Sequence, residues 1–155
     1  IAIEGTDDRV SWSVLVIEPE GFVEEFSGLA SSLERAIFWA LKEGLQNCPS
    51  RAHVAIRSTN SKLIRFGTNK LSLYTHDERE QDPSADLLVP IISRMNDQTI
   101  AWLNPPYLEA GDARAKKIAR DIVRNPISCY PPEEIEYISR IYETLQKVWF
   151  NNGQY

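Results

Sequence analysis

Between Ser31 and Thr59 the hydrophobic period of the chain changes, and that change constrains the fold more than any other stretch. "SSLERAIFWALKEGLQN" carries Leu33, Ala36, Ile37, Ala40, Leu41 and Gly44 at helical spacing, with Ser31 or Ser32 placed to cap the helix and Glu34 in its first turn. "AHVAIRST" follows as a short, more continuously apolar run, the pattern of a strand covered on both faces. Three extended runs precede the helix: "IAIEG", "VSWSVLVIEPEG" and "FVEEFSG", the last two joined through Pro19, Glu20 and Gly21 as a hairpin. A helix leading out of an antiparallel meander into a further strand leaves few unknotted arrangements and predicts a mixed α/β sheet.

The remaining segments extend this plan. "NSKLIRFGTNKLSLYTH" predicts a helix broken at Gly67, and "HDEREQDPSA" a polar loop. "ADLLVPIISRMND" reads as a helix in which Pro90 demands a kink or a place near the first turn. "QTIAWLNPP" is a strand stopped by two prolines, and "AGDARAKKIARDIVRN" a helix ended by Asn125-Pro126. "PPEEIEYISRIYETLQKVWF" is a long last helix with proline at its start. Its stripe of Ile135, Ile138, Ile141, Tyr142, Leu145, Val148 and Trp149 either packs on the domain's own sheet or docks a partner. Residues 1–124 are expected to form one α/β domain, with 125–155 a helical extension packed on it. Trp149, Phe150 and Tyr155 are the candidate partner contacts.

Composition limits the function classes. The chain has 155 residues, room for one substantial core, and a net charge of −5, which speaks against wholesale nucleic-acid binding but allows a local basic patch. No apolar run reaches the roughly 18–20 residues that span a bilayer, so no membrane partner is expected. The opening Ile1 to Val10 already carries acidic residues, unlike a signal peptide, and lacks an initiating Met. A processed product or a domain of something longer is the expectation. Cys48 and Cys129 lack metal-ligand spacing and are expected as free thiols in an intracellular, cytoplasmic or nuclear, compartment.

In order and spacing, several motifs resemble the ribonuclease H family. "IEGT" looks like that family's opening strand, "WSVLVIEPEGFVEEFSG" its second and third strands, and "ERAIFWALKEGL" its long central helix. "STNSKLI" resembles the fourth strand and the helix after it, and "DARAKKIARDI" the last helix. The resemblance covers about Ile1 to Val123 and implies a ribonuclease H-like fold, a five-stranded mixed sheet with flanking helices, here with an extra C-terminal helix.

The family reaction needs four carboxylates that hold two divalent metals roughly 3.5–4 Å apart. Carried over, these fall at Glu4, Ile37, Asn60 and Lys116, so only Glu4 keeps its charge. Isoleucine offers no ligand, a carboxamide is a neutral one, and a lysine repels a dication. The resemblance thus implies a pseudoenzyme with no catalytic residue and no resident cofactor, like the degenerate domains of reverse transcriptases of retroelements. Such a domain serves as a protein-binding or scaffolding module of a larger protein or assembly. Asn60 has a second reading as a helix cap, and Glu4 as an ion-pair partner of Lys116.

Two other functions stay open. A displaced Mg²⁺ site using Glu4, Glu34 and Asp112 would make the chain an active nuclease, although those residues sit about one helical turn from the usual geometry. Arg57, Lys62 and Arg65 form one basic region, and Arg114, Lys117, Arg120 and Arg124 run as a stripe along the helix of "DARAKKIARDIVR". They are a candidate interface for hybrid or duplex nucleic acid, or simply a solvated face.

Overall fold

The computed structural model describes residues 1–6, 8–69, 71, 74 and 76–152, with side chains throughout except at 76, 77, 79 and 147–152. The order of elements is β1 (Ala2–Thr6), β2 (Arg9–Ile17), β3 (Val23–Ala30), α1 (Leu33–Gln46), β4 (His53–Arg57), α2 (Ser61–Asn69), α3 (His76–Gln81), α4 (Ala85–Met95), β5 (Thr99–Leu103), α5 (Ala110–Arg124) and α6 (Pro132–Asn152). The class is mixed α/β.

β1, β2 and β3 form the expected antiparallel meander. Its hairpin is closed by Gly21 N donating to Glu18 O and Glu18 N to Phe22 O, with Gly21 at the positive φ of 92° that this turn requires. β2 is covered on both faces. Val10, Trp12 and Val14 point into the main core beneath α1. The alternate Ser11 and Ser13 are buried on the opposite face, where Ala2, Ala115 and Ala119 keep the contact with α5 small-sided. The Ser11 hydroxyl donates to Ala119 O there. Small side chains let a helix approach a strand closely, so this layer is thin and the α1 layer thick.

α1 starts at Ser32, whose hydroxyl accepts from Arg35 N at 3.1 Å. Ala36, Ile37, Phe38, Ala40 and Leu41 are all buried, because α1 lies between the meander and α4. α4 answers with Leu87, Leu88, Ile91 and Ile92 on one face. Pro90 stands inside α4, in its second turn.

Three expectations are corrected. The five strands do not form one sheet: β4 and β5 pair in parallel as a second sheet. β1 pairs with β2 from Ala2–Ser13 to Thr6–Arg9, and next to it the Ile1 N donates to Arg57 O of β4 at 2.8 Å. α2 runs through Gly67 without a break; the glycine makes room for the Trp102 ring, which a Cβ there would strike. Residues 70, 72, 73 and 75, read as part of the same helix, lie outside the described residues. Finally, the polar loop at His76 contains the short helix α3, whose Glu, Arg and Gln residues favour a helical turn.

The helical extension also differs from one packed along its length. Ile135, Ile138, Tyr142 and Leu145 are exposed, Tyr142 at 60% and Leu145 at 63%. α6 is held instead at its start, where Glu134 is fully buried. No described helix is long and apolar enough to cross a membrane.

Candidate functional site

The four positions that the family resemblance singles out do not gather around one point. Strand alternation puts Glu4 on the face that Ala2 shares with α5, whereas Ile37 packs in the core with Ile1 and Ile3 on the other face. Ile37 is 5% exposed and surrounded by apolar side chains. Asn60 precedes α2, and its side-chain oxygen accepts from Leu63 N at 3.0 Å, while its own N–H donates to Ser58 Oγ at 3.1 Å. That is an N-cap. Lys116 is half-buried on α5 and makes no ion pair with Glu4.

Asp112 is engaged elsewhere. Arg57 at the end of β4 grips it with two bonds, Nε to Oδ1 at 3.3 Å and Nη2 to Oδ2 at 2.8 Å. Its Oδ2 also accepts from Glu109 N at 2.9 Å, completing a capping box at the start of α5. The Arg57 hydrogen bond holds the Asp112 carboxyl below its usual range, against the effect of burial and with help from the Glu109 amide and the Ile1 amine. Burial lowers the Ile1 amine to about 6; the Asp112 carboxylate opposes that shift and Arg57 adds to it. Ile1, Arg57, Asp112 and Glu109 thus form one polar cluster in which the charges satisfy one another. Among the described residues, no three Asp, Glu, His or Cys side chains come together as a metal site would need, so Glu4, Glu34 and Asp112 are not assembled.

The basic residues divide into two groups. Arg57 is spent on Asp112, and Arg114 on Glu25 through bonds of 3.0 and 3.3 Å. Lys62 and Arg65 on α2, and Lys117 and Arg124 on α5, are exposed; Arg120 is half-buried. The stripe foreseen along α5 therefore offers phosphates fewer free charges than its spacing suggests. Of the candidate partner contacts, Tyr155 and the side chains of Trp149 and Phe150 lie outside the described residues.

The strongest polar site escaped the sequence reading. Arg35 is fully buried on α1. Its guanidinium donates to Glu134 Oε2, with Nε at 2.7 Å, and to both Asp86 oxygens, at 2.6 and 3.0 Å. The Tyr137 ring lies 4.2 Å from its carbon. Glu134 accepts in addition from Trp39 Nε1 at 3.0 Å, Ser31 N at 2.8 Å and Ser31 Oγ at 3.1 Å. Burial works against the Arg35 charge, but the bonds and charges of Asp86 and Glu134 outweigh it and hold its pKa above the usual value. This network joins α1, α4 and α6. Its one sequence signal is an arginine four residues before Trp39 on a helix otherwise buried in apolar surroundings.

A slot of about 630 Å³ opens between the two sheets. Residues 14–17 of β2 line one side and 53–57 of β4 the other; Leu41 and Leu45 of α1 lie on one face, Gly111 and Ala115 of α5 on the other. Cys48 and Cys129 are both free thiols, and burial raises the pKa of Cys48, with Arg94 opposing.

Searches for relatives supply no further constraint: no known family model matches this chain, and no curated protein matches it in sequence.

Proposed function

We propose that the chain is a ribonuclease H-like domain that does not cut nucleic acid and serves as a protein-binding or scaffolding module of a larger protein or assembly. The observation that carries the non-catalytic part is Ile37. At the helix position where the resemblance puts a metal-binding carboxylate, the chain has a side chain buried in its apolar core. Restoring a carboxylate there would bury a charge without a partner, a change the core resists by several kcal/mol (about 3–5 by analogy with broken buried pairs). Asn60 adds support, because its carboxamide is already used by α2.

The scaffolding part is supported by α6. Glu134 fixes its first turn, while Ile135, Ile138, Tyr142 and Leu145 stand exposed at spacings of three, four and three. That is the seam against which a second helix packs, so the partner chemistry is an amphipathic helix. A second reading, nucleic-acid binding, draws on exposed Lys62, Arg65, Lys117 and Arg124. It predicts an affinity for hybrid or duplex that falls steeply with salt.

The test is titration with Mg²⁺ and Mn²⁺, followed by amide NMR shifts, with RNA–DNA hybrid cleavage assayed in the same samples. No saturable shift near Glu4 and Asn60, and no cleavage, is the expected result. Saturable shifts there, with cleavage abolished by Glu4→Gln, would overturn the proposal.

A further inference from the structure

The slot between β2 and β4 has the hydrogen-bonding pattern of a missing strand. On β4, Ser58 N donates to Leu103 O and Thr99 N donates to Ala52 O. In a parallel ladder these two bonds assign the even residues of β4 to β5. The odd residues His53, Ala55 and Arg57 therefore point their N–H and C=O groups the other way, into the slot. Arg57 O already accepts from Ile1 N there.

The same logic applies to β2. Because Ile1 N faces β4, the even residues of β1 face β2, and Ala2–Ser13, Glu4–Ser11 and Thr6–Arg9 are its hydrogen-bonded pairs. Continuing that alternation, Leu15 and Ile17 turn their backbone groups towards the slot. β3 occupies the other edge of β2 as far as the Ile17–Val23 pair. Two strand edges thus face each other across the slot, with no described residue paired to both beyond Ile1. Their separation is set by Ile1, which is paired with one strand and bonded to the other, so β2 and β4 lie about two strand spacings apart, roughly 9.5 Å.

We propose that this slot is a strand-accepting groove, and that its occupant is an extended backbone joined to the Ile1 nitrogen. Four residues fill it, about 13 Å at about 3.3 Å each. The residue next to Ile1 pairs antiparallel with Leu15, and the third residue out pairs with Ile17. The second donates to Ala55 O and the fourth to His53 O, parallel to β4. Side-chain preferences follow from the faces. The first and third residues share the α5 face with Ala2 and must be small or polar, beside Gly111 and Ala115. The second and fourth meet Leu41 and Leu45 and are apolar. Once filled, the slot joins the two sheets into one. The amine supports this occupant: burial brings it down to about 6, whereas a peptide nitrogen makes the same bond to Arg57 O with no charge to bury.

The experiment compares three chains by amide hydrogen exchange: the 155-residue chain, the same chain preceded by Val-Thr-Val-Ala, and a version preceded by Val-Thr-Pro-Ala, whose proline cannot donate to Ala55 O. The first extension should slow exchange at Leu15, Ile17, Ala55 and Arg57 about tenfold, the factor one net backbone hydrogen bond supplies. The proline version should lose most of that protection. Equal exchange at those four amides with and without the extension would overturn the proposal, as would full protection by the proline version. Equal protection by acetyl-Val-Thr-Val-Ala-amide added as a separate peptide would overturn the covalent occupant.

Discussion

Glu134→Ala tests the network that holds α6. The substitution removes one carboxylate from the fully buried Arg35, leaving Asp86 as its remaining anion, and strips acceptors from Trp39 Nε1 and Ser31 N. Breaking a buried ion pair from one side costs about 3–5 kcal/mol, and each abandoned buried donor about 1–3 kcal/mol. These terms are not additive, because water can enter the space and Asp86, whose side chain is 31% exposed, can turn towards the arginine. A net loss of about 3–5 kcal/mol is expected, a large part of a typical total of about 5–15 kcal/mol. In a chain of this size that lowers Tm by about 6–20 °C. Thermal and urea unfolding measure the loss, and hydrogen exchange should show α6 opening before α1. The double variant Arg35→Met, Glu134→Leu removes the charges together and should be more stable than Glu134→Ala. A loss below about 1 kcal/mol for Glu134→Ala, or a double variant as unstable as the sum of its singles, would refute the reasoning.

Other perturbations probe separate parts of the molecule. Asn60→Ala should cost about 1 kcal/mol through the lost cap, while Asn60→Asp keeps the cap, keeps stability in urea titrations and gains no hybrid cleavage. Gly67→Ala forces a methyl into the Trp102 ring and should cost about 1–3 kcal/mol, with altered Trp fluorescence; an unchanged Tm would disprove the close contact. Leu145→Asp, on the exposed face of α6, should leave Tm within about 2 °C, because surface changes fall within about 0.5 kcal/mol; a large drop would put that face in the core. The Ile1 amine has a folded pKa of about 6, below its ordinary 8.0, so between those values the unfolded chain holds a proton that the folded chain does not. Stability therefore rises as pH goes from 6 to 8, by up to about 3 kcal/mol before solvent screening and about 1–2 kcal/mol after it. N-terminal acetylation should flatten that rise in urea titrations, and a rise that survives acetylation belongs to another group.

What the sequence disclosed was mostly local. Ser32 before an apolar helix, the Pro19–Gly21 turn and Asn60 before α2 each act within four residues, and each is found doing so. The meander and the central helix also follow from period and order. Which strand edges meet was less legible, because that depends on contacts between elements rather than on any pattern within β1 or β4. Gly67 misled for a related reason: a glycine in a helix suggests a break until the Trp102 ring arrives from another element. At the site, Arg35 and Glu134 are 99 residues apart, and the one local signal, an arginine on an apolar helix, does not name its partner. The α6 stripe was visible as apolar, but periodicity cannot tell a face that is covered from one that is bare.

The thin layer between β2 and α5 has a temporal consequence. Ser11 meets Ala119 across 108 residues of chain. At a synthesis rate of about 5–20 residues per second, β2 waits about 5–20 s on the ribosome before the helix that covers Ser11 and Ser13 exists. Those two serines keep the waiting surface hydrated, where valines would offer a bare β-ribbon to every other nascent chain nearby. The part of β2 that waits longest for its cover is thus also its most polar part, Ser11 and Ser13.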